Sequence, residues 1–171
     1  KTYQNFEHYV LIPTDLPTPS IIVTPERVEL LASQLIEIYQ RKQGRCLVLV
    51  HSIEMLEELE KVLLEHPEIP LLVQRTNQSS RKVQRKFQQQ DSVLLLGVYS
   101  FWEGFDSGDV SIDQLIIPKL PFPNPTQLQQ RVIAEEMKLQ ERHYFQDYAL
   151  EKMLQQFYQG LGRMNRPHQE K

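Results

Sequence analysis

Apolar residues cluster along this chain in short continuous runs that are separated by longer amphipathic stretches. The runs RCLVLV, IPLLV and SVLLLG begin at Arg45, Ile69 and Ser92, and a shorter run, QLIIP, begins at Gln114. Continuous apolar runs of this length are typical of strands that are buried on both faces of a parallel sheet. A further short strand is predicted over 9–12, before a loop rich in proline.

Between these runs, apolar residues recur every three or four positions, which is the period of an amphipathic helix. The predicted helices begin at Thr24–Pro25 (ending at Gly44), after Ser52, at Ser79 or Ser80, at Thr126 and at Asp147. Strands that alternate with helices predict an α/β fold with a mainly parallel sheet and helices on both of its faces. The whole chain, 1–171, is predicted to be one domain, with 1–24 as an entry strand and Pro-rich loop.

Composition narrows the class of protein without naming a function. The chain has 171 residues, of which 40% are hydrophobic and 24% charged, and its net charge of −3 argues against coating nucleic acid by bulk charge. One stretch, RTNQSSRKVQRK, is locally basic, with no acid between Arg75 and Lys86. No segment of the sequence resembles a membrane span or a signal peptide. The single cysteine, Cys46, is expected to be buried, and the protein is expected to lie in the reducing cytoplasm.

Two sequence motifs that ATP hydrolysis requires, a phosphate-binding loop and an acidic magnesium-binding motif, do not occur in the sequence. No glycine is followed by lysine, so the phosphate loop G-x-x-x-x-G-K-[ST] is missing, and no apolar run ends in Asp-Glu to hold magnesium. The five histidines match no zinc spacing, so no metal site is predicted. We therefore expect this chain alone to lack ATP hydrolysis.

The stretch QGLGRMNR contains the strongest candidate for phosphate recognition. Arg163 and Arg166 lie three residues apart on a predicted helix, so both guanidinium groups would share one side and could bind a phosphate bidentately. The alternative is a solvated basic helix end that complements the helix dipole.

Three further segments allow a functional and a structural interpretation. Glu103 and Asp106 flank Gly104 after a buried strand, where they could bind a ribose or form an acidic turn. Ser52 lies at a strand-to-helix junction, which suits a phosphate or a plain N-cap. The basic residues of the third helix, Arg81, Lys82, Arg85 and Lys86, are predicted to form one face that could follow a DNA backbone or be solvated.

Taken in order, these segments resemble one family. LLLGVYSFWEGFD, QLIIPKLPFPNP and QGLGRMNR resemble the later motifs of the DinG helicases, which belong to superfamily 2 with the XPD-type iron–sulfur helicases. FWEGFD corresponds to motif V, QGLGRMNR to motif VI and CLVLVHSIEML to motif IV. The resemblance implies a three-layer RecA-like domain, the second of two such domains, as part of an ATP-dependent DNA helicase.

The resemblance also implies roles for residues. Arg163 and Arg166 would be arginine fingers that reach the γ-phosphate of ATP. The expected ATP-binding residues are Gln159, Gly162, Glu103, Gly104 and Asp106, and the expected contacts to single-stranded DNA are Ser52, Gln74 and Ser100. ATP and Mg²⁺ would serve the intact protein, with the magnesium ligands and any iron–sulfur ligands on the N-terminal RecA-like domain.

Some positions depart from the family pattern, and other functions stay open. Val98 stands where relatives commonly have threonine, and Arg75 follows Gln74 where they often have glycine. One alternative is a RecA-like module that binds DNA or protein without catalysis. Another is the helicase-like part of a DinG-type exonuclease, with a nuclease domain fused upstream.

Overall fold

A computed structural model describes residues 23–75, 78–98 and 110–164, the last three of these by their backbone alone. Four strands are present in these ranges: Arg45–Val50 (β1), Leu71–Val73 (β2), Val93–Val98 (β3) and Gln114–Ile116 (β4). The helices are Pro25–Arg41 (α1), Ile53–Leu63 (α2), Ser80–Gln88 (α3), Leu128–Leu139 (α4) and Leu150–Met164 (α5). A π-helical turn, Phe145–Ala149, leads into α5. The strand predicted over 9–12 lies outside the described residues.

The four strands form one parallel sheet in the order β2-β3-β1-β4. β1 is central, and Cys46 aligns with Leu94 of β3 on one side and with Gln114 of β4 on the other. Each connection between the strands contains a helix or a long segment, as a parallel arrangement requires. The predicted α/β fold with a parallel sheet is confirmed.

Alternate residues of β1 face opposite sides of the sheet, and both sides are covered. Cys46, Val48 and Val50 join a buried cluster with α1 and α2, while Leu47 and Leu49 join a second cluster with Val83 and Phe87 of α3. Three layers result, with α1 and α2 on one face and α3 on the other. This double burial explains why the strands read as continuous apolar runs.

Gly44 fixes the corner between α1 and β1. Its φ of +140° favours glycine, and a Cβ atom there would lie 2.7 Å from Oδ2 of Asp113, which accepts a hydrogen bond from the Arg45 backbone N–H at 2.8 Å. The helix itself ends at Arg41, with Lys42 as its C-cap, so the prediction that Gly44 ends α1 was late by a few residues. The corner holds the amino ends of the strands together.

Two helix starts differ from the predicted ones because side chains bind nearby backbone groups. Oδ1 of Asn124 accepts hydrogen bonds from the Thr126 backbone N–H at 3.0 Å and from its hydroxyl at 2.8 Å, so Thr126 is held in a turn and α4 begins later. Asp147 was predicted to begin the last helix. Its carboxylate accepts from the His143 backbone N–H at 2.9 Å, and the helical turns begin before it.

Cys46 is fully buried, as predicted, and we expect it to be chemically inert in the folded chain. Burial, with a smaller contribution from the Asp113 carboxylate, raises the pKa of the Cys46 thiol from 9.0 to about 12. Near pH 8 the folded thiol should therefore react with a disulfide reagent about a thousandfold more slowly than the thiol of the urea-unfolded chain. Absorbance of the released thiolate measures both rates, and equal rates would contradict this burial.

Candidate nucleic-acid and nucleotide interface

The carboxyl ends of the parallel strands meet at one edge of the sheet, and two predicted site residues lie there. Ser52 follows β1 and Gln74 follows β2. β3 lies beside both strands and ends at Val98, so the segment that continues from Val98 begins between Ser52 and Gln74. In open parallel sheets this edge is where ligands bind.

Ser52 caps α2, as one of its two interpretations predicted. Its Oγ accepts a hydrogen bond from the Met55 backbone N–H at 3.1 Å. A hydroxyl that accepts in this way still has its own hydrogen to donate. The capping role and a contact to a phosphate oxygen are therefore compatible.

Gln74 extends the pairing of β2 with β3 by one residue. Its backbone N–H donates to the Leu96 carbonyl at 2.9 Å, which fixes the main chain at the sheet edge. Its side-chain Nε2 makes only a long bond, 3.4 Å, to the Arg75 carbonyl. Because an amide has two N–H groups, one of them stays available to a ligand.

An ion pair that sequence reasoning missed lies beside Gln74. Nη2 of Arg75 pairs with Oε1 of Glu60 on α2, whose side chain is 13% exposed. Arg75 therefore ties the end of β2 to α2. Nothing in the local sequence signals this pair, because its members belong to different elements.

The cations of α3 are exposed, and the structure divides them into two rows. Val83 and Phe87 are buried against the sheet, as predicted, and Arg81 and Arg85 lie on the opposite side of the helix. Lys82 and Lys86 instead line a groove beside β2. Arg81 is in the first turn of α3, close to the carboxyl edge of the sheet, and Arg85 lies about 6 Å further along.

The motif VI segment begins in α5. Gln159 is exposed, Gly160 is buried, and the helical backbone continues through Gly162 and Arg163 to Met164. Gln159 and Arg163 are four residues apart and thus share a helix face. The side chain of Arg163, and all of Ser100, Glu103, Gly104, Asp106 and Arg166, lie outside the described residues. The roles of these residues and of Gly162 stay predictions.

The described residues offer neither a cluster of metal ligands nor a helix that could span a membrane. No group of three or more His, Cys, Asp or Glu side chains in 23–75, 78–98 and 110–164 could hold a metal ion. In the same part of the chain, every helix is too short or too polar to cross a membrane.

Comparison with known proteins identifies the family of this RecA-like domain. Residues 35–171 match the model of the Helicase C-terminal domain family. The chain therefore belongs to the helicase C-terminal domain family.

Curated relatives and solved structures agree with this assignment. Two relatives named 3′-5′ exonuclease DinG, from Staphylococcus epidermidis and Staphylococcus aureus (strain MSSA476), are each 32% identical over 95% of this chain. The chain spans only 18% of the length of each. A structure titled XPD_Helicase matches 88% of this chain and 27% of its own, with a TM-score of 0.69 and 18% identity. A structure of S. tokodaii Xpd4 matches 85% and 28%, with a TM-score of 0.58 and 20% identity. These two structures support the fold.

Proposed function

We propose that this chain is the second RecA-like motor domain of an ATP-dependent DNA helicase of the DinG type. The observation that carries the proposal is the carboxyl edge of the sheet, where Ser52, Gln74 and the end of β3 lie side by side. The motif V segment continues directly from that end of β3. A single edge would thus serve both the DNA strand and the nucleotide cleft.

The DNA track would use neutral donors at this edge. The free hydroxyl hydrogen of Ser52 and an amide N–H of Gln74 can each donate to a phosphate oxygen, and Ser100 would add a third donor after β3. Arg81 and Arg85 would add positive charge along α3. Such contacts fix the position of a strand without reading its bases, as a translocating motor requires.

The nucleotide side would use the end of α5. Arg163 and Arg166 would reach the γ-phosphate of ATP, which the N-terminal RecA-like domain would hold together with Mg²⁺. Gln159 and Gly162 would position these arginines, and Glu103, Gly104 and Asp106 would connect the nucleotide cleft to the DNA track. The two RecA-like domains would close on ATP and open after its hydrolysis, and this cycle would move the DNA strand. The second domain by itself would not hydrolyse ATP.

A second candidate function rests on the names of the curated relatives. Both Staphylococcus proteins are named 3′-5′ exonucleases, and this chain matches only a small part of each. In this alternative, the RecA-like domains would feed or regulate an exonuclease domain elsewhere in the protein.

One set of assays on the full-length protein separates these functions. ATP hydrolysis would be measured with and without single-stranded DNA, alongside strand separation and 3′-5′ degradation of end-labelled DNA. A motor predicts hydrolysis that DNA stimulates and ATP-dependent strand separation. Degradation of DNA without strand separation would favour the exonuclease alternative. Binding of DNA without ATP hydrolysis would favour a RecA-like binding module that has no catalytic activity.

Substitutions of Ser52 separate its structural role from its proposed DNA contact. Ser52→Ala removes the cap of α2 and should lower the free energy of unfolding by about 1 kcal/mol. Ser52→Asp keeps a capping oxygen but places negative charge on the DNA track, so stability should hold while affinity for oligothymidine falls about tenfold. Urea titration and fluorescence anisotropy measure the two effects. Unchanged DNA affinity in Ser52→Asp would remove Ser52 from the track.

A further inference from the structure

A groove runs along the outer edge of β2, on the side of that strand away from β3. It encloses about 230 Å³ between α2 and α3, the helices that cover the two faces of the sheet at this edge. The edge of β2 forms its floor, Leu64, the residue just after α2, lies on one side, and Lys82 and Lys86 of α3 lie on the other. From the sequence, Lys82 and Lys86 were open either to a DNA contact or to solvation, together with Arg81 and Arg85.

The floor of the groove presents backbone groups that pair with no strand in the part of the chain that the structure describes. The Leu94 N–H donates to the Pro70 carbonyl at 2.8 Å, and the Gln74 N–H donates to the Leu96 carbonyl at 2.9 Å, so alternate residues of β2 face β3. Consequently the N–H and C=O groups of Leu71 and Val73 point outward. Of the four strands that the structure describes, none pairs with this edge.

The two walls differ in charge. Lys82 and Lys86 are exposed, and within the described ranges neither forms an ion pair with an acid. On the α2 side, Leu64 is 63% exposed, and Glu60, the one acid among the described residues that line the groove, is paired with Arg75. One wall is therefore basic, and the other carries an ion pair with no net charge beside the exposed apolar side chain of Leu64.

We propose that the outer edge of β2 binds an extended peptide segment of a partner protein by strand addition, and that this segment alternates acidic and apolar side chains. Successive side chains of an added strand point to opposite faces of the sheet. Acidic side chains would meet Lys82 and Lys86, while apolar ones would pack on Leu64.

A peptide suits this edge better than a nucleic acid does. The outward groups of Leu71 and Val73 include carbonyls as well as N–H groups, and a peptide backbone satisfies both. A phosphate only accepts hydrogen bonds, so it would leave those carbonyls without a donor and would gain nothing from the apolar side chain of Leu64. Arg81 and Arg85, which lie outside the groove, remain available for DNA.

The test measures binding of two fluorescein-labelled peptides to the full-length protein by anisotropy. The probe, GDLDLDLG, alternates aspartate and leucine, and the control, GDDDLLLG, has the same composition in blocks. We expect saturable binding of the probe and at least about tenfold weaker binding of the control, because only the alternating peptide matches both walls.

Matched double variants on α3 locate the site. The double variant Lys82→Glu, Lys86→Glu should weaken binding of the probe about tenfold. The double variant Arg81→Glu, Arg85→Glu makes the same change in net charge outside the groove, and it should change the affinity for the probe by less than about twofold. Val73→Pro removes only an outward N–H and should also weaken binding of the probe. If Val73→Pro fails to fold, the lysine pair still decides the question.

Three results would overturn the proposal. The first is absence of saturable probe binding below about 1 mM. The second is equal weakening by the two double variants, which would mean attraction by bulk charge. The third is displacement of the probe by oligothymidine, together with loss of oligothymidine affinity in the Lys82→Glu, Lys86→Glu variant, which would make the groove a nucleic-acid surface.

Discussion

Replacing Arg163 with alanine in the full-length protein is expected to lower DNA-stimulated ATP hydrolysis by about a thousandfold. An arginine that stabilises the charge on a transferring phosphoryl group typically contributes 10³- to 10⁵-fold, about 4–7 kcal/mol of transition-state stabilisation. Arg163 follows the exposed Gln159 by four residues in α5, so the two share the helix face that would meet the other domain. Turnover at saturating ATP and oligothymidine is the measurement.

Two further variants make this result specific. Arg163→Lys keeps the charge but loses the planar fork that binds two phosphate oxygens, so its activity should fall between those of the wild type and Arg163→Ala. Arg131→Ala removes an exposed arginine from α4 and should leave turnover within about twofold, since surface substitutions are usually neutral. Wild-type turnover in Arg163→Ala would exclude this residue from the catalytic site.

The second large effect concerns stability, and we expect it from Phe87→Ala. Phe87 is fully buried at 0% exposure and fills the space between α3 and the sheet, beside Leu47 and Leu95. Truncation removes a large apolar side chain and leaves a cavity, which costs about 3–5 kcal/mol. Because a domain of this size is stable by about 5–15 kcal/mol, much of the chain's stability would be lost.

Urea unfolding of the 171-residue chain, followed by circular dichroism, measures this loss. Phe87→Leu should recover part of it, because a smaller cavity remains. Arg85→Ala lies on the opposite side of the same helix and should shift the free energy of unfolding by less than about 0.5 kcal/mol. Similar midpoints for Phe87→Ala and Arg85→Ala would mean that α3 does not pack as described.

The main elements were predictable because burial on both faces leaves a direct record in the sequence. β1 and β3 coincide with apolar runs, and Ser52 caps α2 as the strand-to-helix junction predicted. β2 is shorter than its apolar run. Ile69 is buried, but its backbone N–H donates to the His66 carbonyl in a turn. Its apolar side chain therefore reflects packing in the core and not strand pairing.

Part of the candidate site could be predicted as well, for a topological reason. Ser52 and Gln74 are distant in sequence, yet both follow strands that run in the same direction, so they had to reach the same edge. The pairing of Arg75 with Glu60 and the division of the α3 cations into two rows could not be predicted. Both depend on how α2 and α3 sit on the sheet, which helical periodicity does not specify.

The strand order β2-β3-β1-β4 has a consequence for how the chain folds during its synthesis. β1 and β2 are made first, but they do not touch each other, and each gains a described sheet partner only when β3 arrives. A ribosome that has released the chain as far as Val73 thus presents two apolar strands that still lack their partners in the described sheet. Pairing across such sequence distances is slow, and exposed edges of this kind promote aggregation. The interval before β3 emerges is therefore when we expect this domain to depend most on chaperones.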